Sequence, residues 1–200
     1  ALASGKNNKL RFPYKTVEYR DGSKGDRGGV TVLRSGKDDQ LSSLIFKYTS
    51  HGLSHGHYDK LNYQFYDKGN EILRDYGAVR FIGIEQKYGG RYLPETKGYA
   101  AQTIAHNTLV LDEKSHFNGK EETAEKYPAQ KRFSQLNGPA VQVVSASTDK
   151  AYDGVNLQRT VYLLDLPGGK RLVADLFTVE SADEHQYDLP FHYNGQLIST

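Results

Sequence analysis

Apolar and polar side chains alternate along this chain with a period of two, in short runs cut off by Gly, Pro, Asn and Asp. That pattern suits half-buried β-strands and not amphipathic helices, whose apolar residues recur three and four positions apart. The clearest case is Thr160 to Leu166, then Pro167-Gly168-Gly169, then Leu172 to Val179, which predicts a hairpin. A second hairpin is predicted where Leu61-Asn62-Tyr63-Gln64-Phe65-Tyr66 meets Ile72-Leu73 across Asp67-Lys68-Gly69-Asn70, with Gly69 free to take a positive φ. Val30 to Leu33, Leu44 to Tyr48 and Val141 to Ser147 read as further strands, and no segment carries a long helical stripe. The expectation is an all-β domain of stacked antiparallel sheets, a β-sandwich, over residues 1–200. The most polar stretches, residues 1–28 and 113–138, are expected to be long loops.

Composition narrows the chemistry. At 200 residues one domain is the default, and 37% apolar residues with 15 Tyr and 8 Phe supply a core. With no Cys, disulfide scaffolds, zinc–thiolate sites and cysteine nucleophiles are excluded, while either redox compartment stays open. No apolar run approaches the roughly 20 residues of a membrane span. The chain starts on Ala1 and has no Met, so its ends are expected to be boundaries within a longer protein. Residues 1–60 carry 11 Lys and Arg against 6 Asp and Glu, a net of +5, while residues 61–130 and 131–200 carry −1 and −2. A basic first third favours an anionic partner, or is simply a solvated face. Nucleic acid is not that partner by motif: no helix-turn-helix, zinc-finger or RNP-like string is present.

Four of the seven histidines fall in two short strings, His51-Gly52-Leu53-Ser54-His55-Gly56-His57-Tyr58-Asp59 and Ile104-Ala105-His106-Asn107. On an extended chain His55 and His57 project from one face, and Gly56 lets the backbone approach a ligand or a neighbouring strand. Without thiols a metal site must use imidazole and carboxylate donors, three or four of them. His57 and His106 are the natural imidazoles. Asp75 follows the predicted strand Glu71 to Arg74, which the hairpin sets beside the strand after His57; Asp59 is the competing carboxylate. The alternatives are a structural or exposed His-x-His, a turn-capping Asp75, and His106-Asn107 as a satisfied loop pair. His51, His116, His185 and His192 read as surface or core residues.

A Gly-rich stretch, Lys87-Tyr88-Gly89-Gly90-Arg91-Tyr92, presents two phenols and a guanidinium. A phenol serves as base when ionised and as acid when neutral, and cations beside Tyr92 would help it ionise. An amphipathic Tyr at a loop–sheet boundary is the plainer use.

Taken together, His55-Gly56-His57-Tyr58-Asp59-Lys60-Leu61, Asp75-Tyr76-Gly77-Ala78-Val79-Arg80, Lys87-Tyr88-Gly89-Gly90 and Gln102-Thr103-Ile104-Ala105-His106-Asn107-Thr108-Leu109-Val110 resemble the heparinase II/III-like part of polysaccharide lyases. The resemblance is closest to polysaccharide lyase family 17, the oligoalginate lyases, and its blocks span about residues 50–120. It implies an N-terminal (α/α) toroid, absent here, ahead of antiparallel β-sheet domains. It implies zinc, usually structural, on His57, Asp75 and His106, and active-site roles for His55 and Tyr92. It implies β-elimination of a uronate polymer, with further catalytic Asn, His and Tyr residues supplied by the toroid, and a periplasmic or secreted bacterial enzyme. Arg91 suits the substrate carboxylate, since its planar fork matches one. The rival readings are a heparin or heparan sulfate lyase domain and a non-catalytic carbohydrate-binding β-sandwich with a structural zinc.

Overall fold

The computed structural model of the chain describes residues 14–52, 55–75 and 93–196. In the strand Ser42–Lys47, burial follows the period of two: Ser42, Leu44 and Phe46 are buried and the residues between them are half-buried. That strand, β3, sits in the middle of an antiparallel meander. Its order is β1 (Val17–Arg20), β2 (Gly29–Ser35), β3, β4 (Asn62–Asp67) and β5 (Asn70–Leu73). The β4–β5 hairpin closes through Lys68 and Gly69, at φ 51° and 79°, the twist that a two-residue turn requires.

A second sheet holds β7 (Gln130–Gln135), β8 (Val141–Tyr152), β9 (Val155–Leu166) and β10 (Lys170–Ser181), each antiparallel to its neighbour, in spatial order β10-β9-β8-β7. A two-stranded ribbon pairs β6 (Val110–Leu111) with β11 (Tyr187–Asp188). The two larger sheets share one core: Leu33, Leu44 and Phe46 from the first, and Val144, Ala146, Leu157, Val161 and Leu163 from the second. Burying each of the larger side chains stabilises by about 1.5–3 kcal/mol, so this seam dominates cohesion.

Polar contacts lace the same seam. Arg171 Nε meets Asp165 at 2.6 Å and Ser35 Oγ at 2.8 Å, joining β10, β9 and β2. Gln142 of β8 donates to the Arg34 carbonyl at 2.6 Å. Arg159, on the inward face of β9, is fully buried. It makes a bidentate pair with Asp175, donates to the carbonyls of Leu61 and Asn107, and lies between the rings of Tyr63 and Phe177.

The expected hairpins and stacked sheets are all present. Two expectations of long loops fail in part. β1 lies inside 1–28, and a six-residue helix (α1, Glu121–Lys126) and β7 lie inside 113–138. β1 and β7 are sheet edges whose residues are mostly half-buried or exposed, so neither needs the apolar phase that marks an inner strand. Among the described residues no helix is long and apolar enough to cross a membrane.

Candidate metal centre

The histidine string does not lie in a strand. Residues 55–61 form the approach to β4, with His55 exposed, His57 half-buried and Asp59 buried. The expected side-by-side projection of His55 and His57 from a strand is therefore not what forms. Gly56 does serve close approach: a Cβ there would fall 1.6 Å from the His51 carbonyl oxygen, a contact no other residue could make unchanged. This tight crossing brings His57 and Asp59 down onto the 103–108 segment.

His106 is fully buried and its ring lies 5.1 Å, centroid to centroid, from that of His57. One donor atom from each of His57, Asp59 and His106 falls within 4.8 Å of the others, a group able to hold a metal ion. Asp75, placed by β5, puts its carboxylate 2.5 Å from His106 Nδ1. With a carboxylate there, Nδ1 carries the proton and Nε2 presents its lone pair. That Nε2 is buried and has no hydrogen-bond partner among the described residues. A bare, buried imidazole nitrogen beside a second imidazole and a carboxylate fits a borderline-soft cation.

The charges around it are balanced inside the protein. Lys47 Nζ is 2.5 Å from Asp59. Burial alone would raise the Asp59 carboxyl, but the Lys47 ammonium, with His106 and Lys60 nearby, more than offsets this and holds it well below the usual range. Burial, then the neighbouring His106, pushes His57 below its ordinary value, keeping it the neutral ring that ligation needs. Lys60, buried and donating to the Thr49 carbonyl at 2.7 Å, is brought down to about 8 by desolvation.

Asn107, the residue after His106, ties the site together. Its side chain donates to the carbonyls of Tyr63 (3.0 Å) and Arg74 (2.9 Å) and accepts from the His192 N–H (2.7 Å). Its own N–H donates to Asn62 Oδ1 at 3.1 Å. So it fastens β4, the end of β5 that carries Asp75, and the C-terminal segment to His106. In sequence, His106-Asn107 is equally legible as a satisfied loop pair, and this reach carries no local signal. Lys47 carries none either. Arg159 left a signal: a charge on the inward phase of Leu157, Val161 and Leu163.

His116 is the other fully buried imidazole, and it is no ligand candidate. Nδ1 accepts from the Lys60 N–H at 3.3 Å and Nε2–H donates to the Leu109 carbonyl at 3.1 Å. Desolvation pushes it down from 6.5 to about 3. Above pH 6.5 neither folded nor unfolded chain protonates it. Between about 6.5 and 3 only the unfolded chain does, so stability is lost as pH falls. Going from pH 7 to pH 5, this group alone removes about 2 kcal/mol. Urea unfolding at both pH values should show the fall shrinking by about that amount in His116→Gln; an unchanged fall contradicts it. His51 is likewise a core residue, stacked 4.9 Å from Tyr58, and His185 and His192 are half-buried, as expected. Arg91 and Tyr92 lie outside the described residues.

A sheet-on-sheet body with an imidazole–carboxylate cluster in the segments flanking its first sheet defines the class, and comparison defines the family. Residues 18–199 match the model of the heparinase II/III-like C-terminal family, and the chain belongs to that family. It is 46% identical to an alginate lyase of Stenotrophomonas maltophilia over 100% of this chain and 27% of that protein. It is 41% identical to an exo-oligoalginate lyase of Saccharophagus degradans, over 99% of this chain and 27% of that protein. The chain thus spans about a quarter of the length of these curated relatives. Among solved structures, a heparinase III superposes with a TM-score of 0.69 at 17% identity, covering 94% of this chain and 25% of that one. A heparan sulfate lyase from Pedobacter heparinus gives 0.56 at 21% identity, covering 80% and 22%. At these identities the structures bear on the fold alone.

Proposed function

We propose that this chain is the β-sandwich portion of a polysaccharide lyase that cleaves alginate or oligoalginate by β-elimination. The observation that carries the reading is the 46% and 41% identity, across the whole chain, to an alginate lyase and an exo-oligoalginate lyase. In the reaction a base removes the C5 proton of a uronate, the substrate carboxylate is neutralised, and an acid protonates the 4-oxygen leaving group. His55, exposed ahead of the metal centre, is proposed for carboxylate neutralisation or proton transfer. Tyr92 is proposed for acid–base work or subsite binding and Arg91 for the substrate carboxylate. Preorganised donors where charge develops contribute on the order of 3 kcal/mol each. The remaining catalytic groups come, in this reading, from an N-terminal toroid of a longer protein. A periplasmic or secreted location belongs to the same proposal.

The proposed ion is zinc, which suits neutral imidazole with carboxylate and would supply cohesion between β5, the 55–61 approach and the 103–108 segment. The proposed ligands are His57, Asp59 and His106, whose donor atoms converge; Asp75, which the family resemblance offered as a ligand, is proposed to orient His106 through Nδ1. Asp59→Asn should therefore abolish zinc binding, while Asp75→Asn should weaken it about 10–100-fold. Elemental analysis with zinc retained in Asp59→Asn and lost in Asp75→Asn would make Asp75 the ligand.

The lyase reading is tested by ultraviolet absorbance of the unsaturated product. The longer protein should raise it with alginate and not with heparin or hyaluronan. Signal with heparin alone favours the heparan-type rival, and silence on every uronate polymer removes the lyase reading.

A further inference from the structure

We infer that the chain carries a second saccharide site, for a single carboxylated sugar unit, separate from the His57 centre. A cavity of about 260 Å³ opens where the β8–β9 hairpin meets the turns on either side of Ser115. None of His55, His57, Asp59, Asp75 or His106 lines it. A volume of this order admits one sugar ring.

Its lining is specific in kind. Lys114, Lys120 and Lys150 line it; Lys150 Nζ pairs with Asp149 at 3.1 Å, while neither Lys114 nor Lys120 has a carboxylate partner within 4 Å among the described residues. Asp112 is already engaged: His185 Nδ1 lies 2.9 Å from one oxygen, and the Gln186 N–H donates to the other at 3.0 Å. The buried aromatic residues Phe117 and Tyr152 also line it. Asp153 and Asn118 add groups able to bond sugar hydroxyls. A sugar acid meets cations at its carboxylate and acceptors at its hydroxyls.

The backbone is held in an uncommon state to build this wall. Asp112, Glu113, Phe117 and Asn118 have φ of 49°, 57°, 58° and 50°, four of the seven left-handed non-glycine residues among the described ones. For a bulky Phe such a φ is an outlier, and strain of this kind gathers at binding sites.

The choice of a sugar acid rests on the lyase reading; the cavity and its cationic rim do not. The full chain is titrated with a saturated mannuronate disaccharide, with mannobiose and inorganic phosphate as comparators, and followed by amide NMR shifts and calorimetry. The disaccharide should shift amides in 112–120 and 150–153, and bind more weakly as salt rises. Lys114→Gln with Lys150→Gln should weaken that binding at least tenfold, and His57→Ala should leave it in place. Shifts confined to 55–59 and 103–107, equal binding of phosphate or mannobiose, or indifference to the lysine substitutions would overturn the site. If the longer protein still produces unsaturated product from alginate, only this site has failed; if that signal is missing too, the lyase reading has failed with it.

Discussion

Arg159→Ala is expected to cost about 3–5 kcal/mol, the usual penalty for breaking a buried pair from one side. Removing the guanidinium strands three acceptors at once: the Asp175 carboxylate and the carbonyls of Leu61 and Asn107. It also empties the space between the rings of Tyr63 and Phe177, whose centroids lie 4.5 and 4.9 Å from the guanidinium carbon. At roughly 2–4 °C per kcal/mol for a domain of this size, the melting temperature should fall by about 10 °C or more. Asp175→Asn should also be costly, because the fully buried Arg159 cation loses its counter-charge, though less so. The Asp175 side chain is 15% exposed, so water can replace part of what is lost, and Arg159 keeps both carbonyls. A melt of Arg159→Ala within about 2 °C of the parent would show that the two sheets do not depend on this residue.

Asn107→Ala is the second large effect, expected at about 3 kcal/mol. It removes the donors to the carbonyls of Tyr63 and Arg74 and the acceptor of the His192 N–H, of which the Tyr63 contact is fully buried and the other two partly so. A buried group that loses its partner costs about 1–3 kcal/mol, and the part-buried contacts and the emptied side-chain space add to it. Asn107→Asp should be no better, since a carboxylate would face two carbonyls that need a donor. Asn107→Ala keeps the backbone carbonyl that accepts from Arg159 but loses the side-chain bonds that fix it in place, so the double variant with Arg159→Ala should cost less than the two single costs added. Full additivity in denaturant unfolding would mean that the two residues hold separate parts of the fold.

These two residues also mark where sequence reading stops. The β9–β10 and β4–β5 hairpins were legible because alternation and turn residues are local signals, and Leu44 or Val161 needs only a parity to be placed inside. β1 and β7 were not legible, because an edge strand exposed to water carries no such parity. In the candidate centre, the motifs around His57 and His106 were visible as strings, and Asp75 followed from hairpin geometry and family resemblance. The Lys47–Asp59 pair and the four bonds of Asn107 were not, since each depends on segments distant in sequence meeting at a particular depth. His55 and His57 lie outside any strand, and the tight approach of Gly56 to the His51 carbonyl there is a tertiary constraint that no local pattern announces.

The central claim is that His57, His106 and a carboxylate hold a divalent ion, and that this ion helps fasten the first sheet to the 103–108 segment. Elemental analysis of the purified chain, paired with thermal melts, tests it most directly. About one zinc per chain is expected in the parent and less than a tenth of that in His57→Ala, whose melting temperature should fall as chelator lowers the parent's. A metal-free parent that is as stable with chelator as without it, and no less stable as His57→Ala, would contradict the account.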